Sequence, residues 1–348
     1  MKQTALVICP GRGTYNKQEL GYLGQHHANK MEFIADLDDF REKEGQLSIS
    51  ELDGEERYSS RIHTTGDNAS LLIYACALAD FADIDRDQFD IIGVTGNSMG
   101  WYLALACAGV LDPRASMFLV NTMGRLMHEE GPGGQVIYPL VNDRWQRDPA
   151  LEAHVADVMR DVRAIDGVFV DYSIHLGGMA ILAANDQGVA CLMERLAPEQ
   201  ERYPLVLANH GGFHSRLMEV VSVKARELLK PDLFSQGSLP LIDGLGRIWQ
   251  PGACSPEAIY NYTLNDQICQ TYNYSKAIEV TVKEFAPDRL IILGPGTTLG
   301  APTAQELIAH QWLGLASKED FISMQEKDPF ILSMGYEDQR RRVSCKEG

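Results

Sequence analysis

The run 89–105, FDIIGVTGNSMGWYLAL, holds the residues best placed for chemistry. Gly96-Asn97-Ser98-Met99-Gly100 sets a serine between two glycines. A β-branched apolar stretch precedes it and a small apolar stretch follows. The first reads as a buried strand over 89–95, the second as a helix over 101–109. Strand, sharp turn and helix are the setting of a nucleophile elbow. A side chain at either glycine would crowd the neighbouring strand or helix. Ser98 then stands at the tip, and the free N–H groups of the following helix face the place where negative charge develops.

A serine hydroxyl becomes a useful nucleophile beside a base. His210 and His214 follow an expected strand over 203–207, at the functional edge of an α/β sheet, whereas His175 sits in a smaller unit. Loop histidines at strand ends are functional more often than those on helices. His214, in Gly-Gly-Phe-His-Ser at the entry to a helix, stands first and His210 second. To orient the imidazole, Asp243 ends a short strand and Asp288 precedes one. A backbone or amide carbonyl is the alternative.

These side chains need a sheet to position them. Residues 4–9 read as a central parallel strand. Pro10-Gly11-Arg12-Gly13-Thr14 breaks it where α/β folds keep binding loops. The P-loop and dinucleotide fingerprints are absent. Residues 16–40 read as mostly helical and 41–62 as a charged surface segment. Residues 64–82 form a strong helix whose Asp80 faces solvent. Residues 114–128 make another helix. Strand, helix, strand, strand and helix over 131–199 describe a small α+β unit, inserted into a core of 1–130 and 200–348. Beyond it, 257–274 and 275–285 read as helices and 239–243 and 289–293 as strands. The charged tail after Gly335 reads as frayed.

Composition narrows the class. The 348 residues are 45% hydrophobic and 23% charged, ordinary for a globular protein of one or two domains. A formal net charge of −17 argues against general nucleic-acid binding. The seven cysteines are scattered and never in C-x-x-C spacing, so no metal site is expected and the usage is cytosolic. The N-terminal apolar run is too short for a signal peptide. No run approaches the ~20 residues of a membrane span. The expectation is a cytoplasmic protein without a membrane partner.

Four motifs, in order, resemble one family. Cys9-Pro10-Gly11-Arg12-Gly13-Thr14 is similar to an N-terminal FPGQGS loop, and Gly96-Asn97-Ser98-Met99-Gly100 to a GHSxG elbow. Gly212-Phe213-His214-Ser215 with Met218 is similar to FHSxxM, and Gly294-Pro295-Gly296 to a late GPG turn. The family is the malonyl-CoA:acyl-carrier-protein transacylases, including the acyltransferase domains of polyketide and fatty-acid synthases. The resemblance covers roughly residues 4–300.

The resemblance implies an α/β-hydrolase-like core with a parallel sheet, a nucleophile elbow and an inserted ferredoxin-like subdomain. It implies that Ser98 takes an acyl group from a coenzyme A thioester, with His214 as general base. The backbone N–H groups of Met99 and Arg12 would form the oxyanion hole. Gln267 and Phe213 would lie at the acyl pocket. The phosphopantetheine thiol of an acyl carrier protein would then take the acyl group in a ping-pong cycle. Acyl-coenzyme A is a substrate here, and no permanently bound cofactor is expected.

Three departures bear on the substrate. Asn97 stands where the family has histidine, and Arg12 where it has glutamine. Met123 holds the place of the arginine that grips the malonyl carboxylate. Arg125, two residues on, is roughly 200° around a helix from that position. The pocket is therefore expected to favour an uncharged acyl group, with Arg12 as the competing source of a cation. Carrier proteins of the family are usually acidic, and Arg216, Lys224, Arg226 and Lys230 are the candidate docking cations. Two other functions use the same residues or fewer of them: a thioester hydrolase, in which water attacks the acyl-serine, and a non-catalytic module that docks carrier proteins.

Overall fold

The computed structural model describes residues 2–345. Strands β1 (Gln3–Cys9) and β2 (Phe89–Gly96) begin a larger sheet. Strands β3 (Gly134–Pro139), β4 (Val170–Leu176), β5 (Met179–Ala184) and β6 (Leu205–Val206) build most of a smaller one. The chain then returns to the larger sheet with β7 (Leu241–Ile242) and β8 (Ile248–Trp249), and adds β9 (Tyr272–Asn273) to the smaller. Strands β10 (Arg289–Ile292) and β11 (Ile331–Ser333) complete the larger sheet.

The larger sheet runs β11-β10-β1-β2-β7-β8. All its pairings are parallel except β7 with β8. Val7 sits between Ile291 and Val94. Ala5 through Cys9 are fully buried, as a central parallel strand covered on both faces requires. The helix Gly66–Asp83 packs against the helix Pro113–Glu130, where Gly66 and Gly124 let the two backbones approach closely. The smaller sheet runs β6-β3-β5-β4-β9 and has its own apolar cluster, formed with the helices Pro149–Arg163 and Asp186–Arg195.

Several expectations change. Residues 203–207 do not return to the core sheet: β6 pairs antiparallel with β3, so the smaller sheet draws on chain beyond 199. The stretch 257–274 is not one helix. It is a short helix, Pro256–Asn261, a π-helical turn, Tyr262–Asp266, one more turn, Gln267–Cys269, and then β9. Segment 41–62 is not all surface. It contains the helix Ile49–Asp53 with Ile49 and Leu52 buried, and the buried Arg41 guanidinium bonds the Asp67 carbonyl and the Asn68 and Asn121 side chains.

Asp80 does not face solvent, and the tail does not fray within the described residues. The C-terminal helix Glu337–Val343 lays Arg340 against Asp80, 2.7 Å away, and both are buried. Tyr22 and His27 reach the same carboxylate at 2.8 Å, and the Gly294 N–H donates to it at 2.7 Å. One carboxylate thus ties the N-terminal helices, the turn after β10 and the C-terminal helix together. Burial pushes the Asp80 carboxyl up, but His27 and Arg340 outweigh burial and hold it below its ordinary value. A depressed carboxyl stabilises the fold above its unfolded pKa, and that contribution is lost as pH falls through the folded pKa.

Asp80→Ala leaves the buried Arg340 without its paired carboxylate, while His27 keeps only Asp83, at 3.0 Å. Such a break costs about 3–5 kcal/mol. Urea unfolding at neutral pH is expected to show that loss; a change under about 1 kcal/mol contradicts the assignment of Asp80 as the hub.

Candidate active site

The elbow forms as its sequence requires. Strand β2 ends at Gly96, and the helix Gly100–Cys107 starts four residues later. Between them Ser98 takes a left-handed backbone, φ 55°. The strain is held by close packing. A Cβ on Gly100 would strike the Cys9 carbonyl, and one on Gly96 would strike Gly100. The Asn97 N–H donates to the Cys9 carbonyl at 3.1 Å, pinning the turn to the end of β1.

The Ser98 Oγ lies 2.7 Å from His214 Nε2. His214 also has a left-handed backbone, φ 54°, in the loop that follows β6. That loop is tied to the smaller sheet. The Gly212 N–H donates to the Pro132 carbonyl at 2.8 Å, and the Ser173 hydroxyl on β4 donates to the Phe213 carbonyl at 2.7 Å. His210 is brought close but engaged elsewhere, with its Nδ1 on Gln135 Oε1 at 2.7 Å. His175 lies on β4 against Tyr172. Of the three, His214 alone meets the serine.

Among the described residues no carboxylate orients the imidazole. His214 Nδ1 donates to the backbone carbonyl of Gln267 at 2.6 Å. Asp243 is instead buried in the β7–β8 turn, holding Arg247 and the Trp249 indole. Asp288 caps the start of β1 through Thr4. The Gln267 carbonyl is available because the chain leaves helical geometry just beyond it to enter β9. Its side chain is as important. The Tyr102 hydroxyl donates to Gln267 Oε1 at 2.8 Å, and Gln267 Nε2 donates to the Ser98 carbonyl at 3.1 Å. Gln267 therefore holds both His214 and Ser98, more than the pocket contact expected of it. No residue-type signal marks a backbone acceptor, and only the resemblance pointed to this position.

Burial sets the protonation. It lowers His214 to a pKa of about 4, while the Gln267 carbonyl pulls the other way. The ring is neutral at pH 7. With Nδ1–H committed to the carbonyl, Nε2 carries the lone pair that faces the serine.

Two spaces meet at Ser98. A cleft of about 760 Å³ is lined by the 11–16 loop, Asn97, Ser98, His210, Phe213 and Leu299. Behind the serine is a cavity of about 30 Å³, walled by Arg12, Met99, Tyr102, Met123, Met127 and Phe213. Met123 is buried there, and Arg125 does not reach the cavity wall. Arg12 Nη2 donates to the carbonyls of Thr64 at 3.1 Å and Asn209 at 2.8 Å, and the guanidinium lies 5.5 Å from the Phe213 ring centre. Arg12 Nε and Nη1 are buried without a partner among the described residues, and burial lowers its pKa to about 10.

The four candidate docking cations are on the outer surface, and three have partners within the chain. Lys224 pairs with Glu130, Arg226 bonds Asn261 and lies over Tyr260, and Lys230 bonds the Arg226 carbonyl. Arg216 stacks on Phe169.

No protein-family model matches the chain. In sequence it is 22% identical over 219 residues to the malonyl CoA-acyl carrier protein transacylase of Bacillus subtilis, covering 61% of this chain and 65% of that protein. It is 23% identical over 244 residues to a phenolphthiocerol/phthiocerol polyketide synthase component of Mycobacterium tuberculosis, covering 69% of this chain and 15% of that protein. The matches thus span less than two thirds of either relative. Among solved structures, the acyl-carrier-protein S-malonyltransferase of Burkholderia pseudomallei superposes with a TM-score of 0.73 at 18% identity, covering 98% of this chain and 99% of that one. The Synechocystis malonyl-CoA:ACP transacylase gives 0.70 at 17%, covering 99% and 100%. A malonyl-transacylase solved with a type II polyketide acyl-carrier protein gives 0.68 at 19%, covering 88% and 99%. Sequence, fold and the four motifs agree: the chain is similar in sequence to malonyl-CoA:acyl-carrier-protein transacylases and shares the fold of their solved structures.

Proposed function

We propose that the protein is a serine acyltransferase that moves an acyl group from coenzyme A to the phosphopantetheine thiol of an acyl carrier protein. The observation that carries this reading is the chain of contacts Ser98 Oγ–His214 Nε2 and His214 Nδ1–Gln267 carbonyl, at 2.7 and 2.6 Å. Ser98 attacks the thioester carbonyl while His214 takes its proton. The oxyanion faces the backbone N–H groups of Met99 and Arg12, neither of which has a hydrogen-bond partner among the described residues. Collapse breaks the carbon–sulfur bond, and the departing thiolate takes the proton from His214. In the second half, the carrier thiol gives its proton to His214 and attacks the acyl-serine. Ser98 is then regenerated. On this reading Arg216, Lys224, Arg226 and Lys230 are the surface cations assigned to dock an acidic carrier.

The same reading treats the unit expected over 131–199, carried on through β6, as a ferredoxin-like insertion in an α/β-hydrolase-like core. Its support is the β-α-β-β-α-β order of β3 to β6, with β3 and β4 flanking β5. A cytoplasmic location fits a chain in which no described helix is long and apolar enough to cross a membrane. A hydrolase would use the same serine and histidine with water as acceptor. A non-catalytic docking module would need neither.

The acyl group we infer is short and uncharged. Met123 and Met127 offer no donor. A carboxylate held against them would lose its water and gain no partner. A second reading rests on Arg12, whose Nε and Nη1 lack partners and whose side chain lines the same cavity.

Intact-mass detection of acyl-Ser98 with acetyl-, butyryl-, malonyl- and succinyl-CoA separates the two. Neutral groups are expected to load faster by about tenfold, the effect of ~1.4 kcal/mol in the barrier. Met123→Arg is expected to shift preference toward malonyl, and Ser98→Ala to abolish every adduct. Rapid malonyl loading that disappears in Arg12→Ala selects the second reading, and an adduct persisting on Ser98→Ala overturns the serine mechanism.

The base makes a separate forecast. Because burial lowers His214 to about 4, the neutral form persists well below the ordinary 6.5. The acylation rate is expected to stay level from pH 8 down to about 5 and to fall only as pH drops through about 4. An acid limb centred near 6.5 contradicts the buried, carbonyl-held base.

A further inference from the structure

Asn97, the residue before the nucleophile, is committed in its backbone and free in its side chain. Its N–H donates to Cys9 and its carbonyl accepts from the Gly100 N–H at 2.7 Å. The residue is 8% exposed, yet its side-chain Oδ1 has no hydrogen-bond partner among the described residues. Buried polar groups in folded proteins are nearly always paired, so an unpaired one beside a nucleophile asks for a ligand. Asn97 lines the large cleft next to Ser98, on the side where a thioester must enter. Rotation of its terminal amide, a soft torsion, turns either polar end toward that cleft.

Resting on the acyl-transfer reading above, we propose that the Asn97 carboxamide hydrogen-bonds the first amide of the pantetheine arm, the one joined to sulfur by two methylenes. With the acyl carbon at Ser98 Oγ, sulfur is one bond away and this amide begins three bonds further on. That places it beside the residue adjoining Ser98. An amide presents both an N–H and a carbonyl, so it satisfies whichever end of Asn97 faces the cleft. Coenzyme A and a carrier protein share this amide. One side chain thus registers donor and acceptor alike in the two halves of a ping-pong cycle, whereas water as acceptor has no use for it. Leaving a buried partner unmet is costly, so the contact discriminates strongly against an arm that lacks the amide.

The test compares two thioesters of whichever acyl group loads fastest. One is on N-acetylcysteamine, which has the amide; the other is on an alkanethiol of equal length, in which methylenes replace it. Single-turnover formation of acyl-Ser98 is expected to favour the amide thioester by about tenfold or more in the wild type. Asn97→Leu, which keeps the volume and removes both polar ends, is expected to bring the ratio within about twofold of one. A wild type that loads both equally overturns the proposal without recourse to any variant, as does a ratio that survives in Asn97→Leu. Loading from acyl-coenzyme A with none from either short thioester also overturns the proposal, whereas no adduct from acyl-coenzyme A at all removes the acyl-transfer reading, and this proposal with it.

Discussion

The hydrogen bond from His214 Nδ1 to the Gln267 carbonyl is the contact on which the site depends. A carboxylate in that place would add a charge and raise the imidazole pKa. A carbonyl fixes the tautomer without adding a charge, and its upward pull on the pKa is outweighed by burial. The ring stays neutral because it is buried, and its lone pair faces Ser98 because the other nitrogen is engaged. The geometry is locked a second time through the Gln267 side chain, which bridges Tyr102 on the elbow helix and the Ser98 carbonyl. Removing the Gln267 side chain would therefore disturb Ser98 as well as the pocket, even though the acceptor for His214 is backbone.

These three residues come from different parts of the fold. Ser98 belongs to the end of β2 in the larger sheet. His214 follows β6, and Gln267 precedes β9, both in the smaller sheet. The Ser98–His214 contact is therefore made where the two sheets meet. Tyr272 on β9 reinforces that meeting: its hydroxyl donates to the Gly96 carbonyl at 2.6 Å, and its ring lies 5.3 Å from His214. Farther away, the buried Asp80 cluster fixes the turn after β10 to the N-terminal helices and so steadies the end of the larger sheet where the 10–14 loop emerges.

What was legible in the sequence was what is local. The elbow could be read because strand, glycines and helix are contiguous, and the steric reason for each glycine operates within a few residues. His214 was favoured by its loop and by resemblance. The group that orients it could not be read, because a backbone carbonyl has no letter of its own; Asp243 and Asp288 looked suitable only because carboxylates do. Asp80 was placed in solvent for a similar reason. A charged residue in an apolar helix reads as surface unless its partner is known, and Arg340 lies 260 positions away. The same pairing made the tail look frayed. The break beyond Gln267 is hidden because 257–274 is rich in polar and aromatic groups with spacing suited to a helix, and the pairing of β9 with β4 that draws the chain out of it is long-range.

The most direct measurement of this account is the nitrogen-15 NMR signature of the His214 imidazole at neutral pH, assigned by comparison with a His214→Gln protein. Neutral imidazole with the proton on Nδ1, and no protonation on Nε2 until the pH falls to about 4, is the predicted result. A ring carrying its proton on Nε2, or charged at pH 7, contradicts a carbonyl-oriented base.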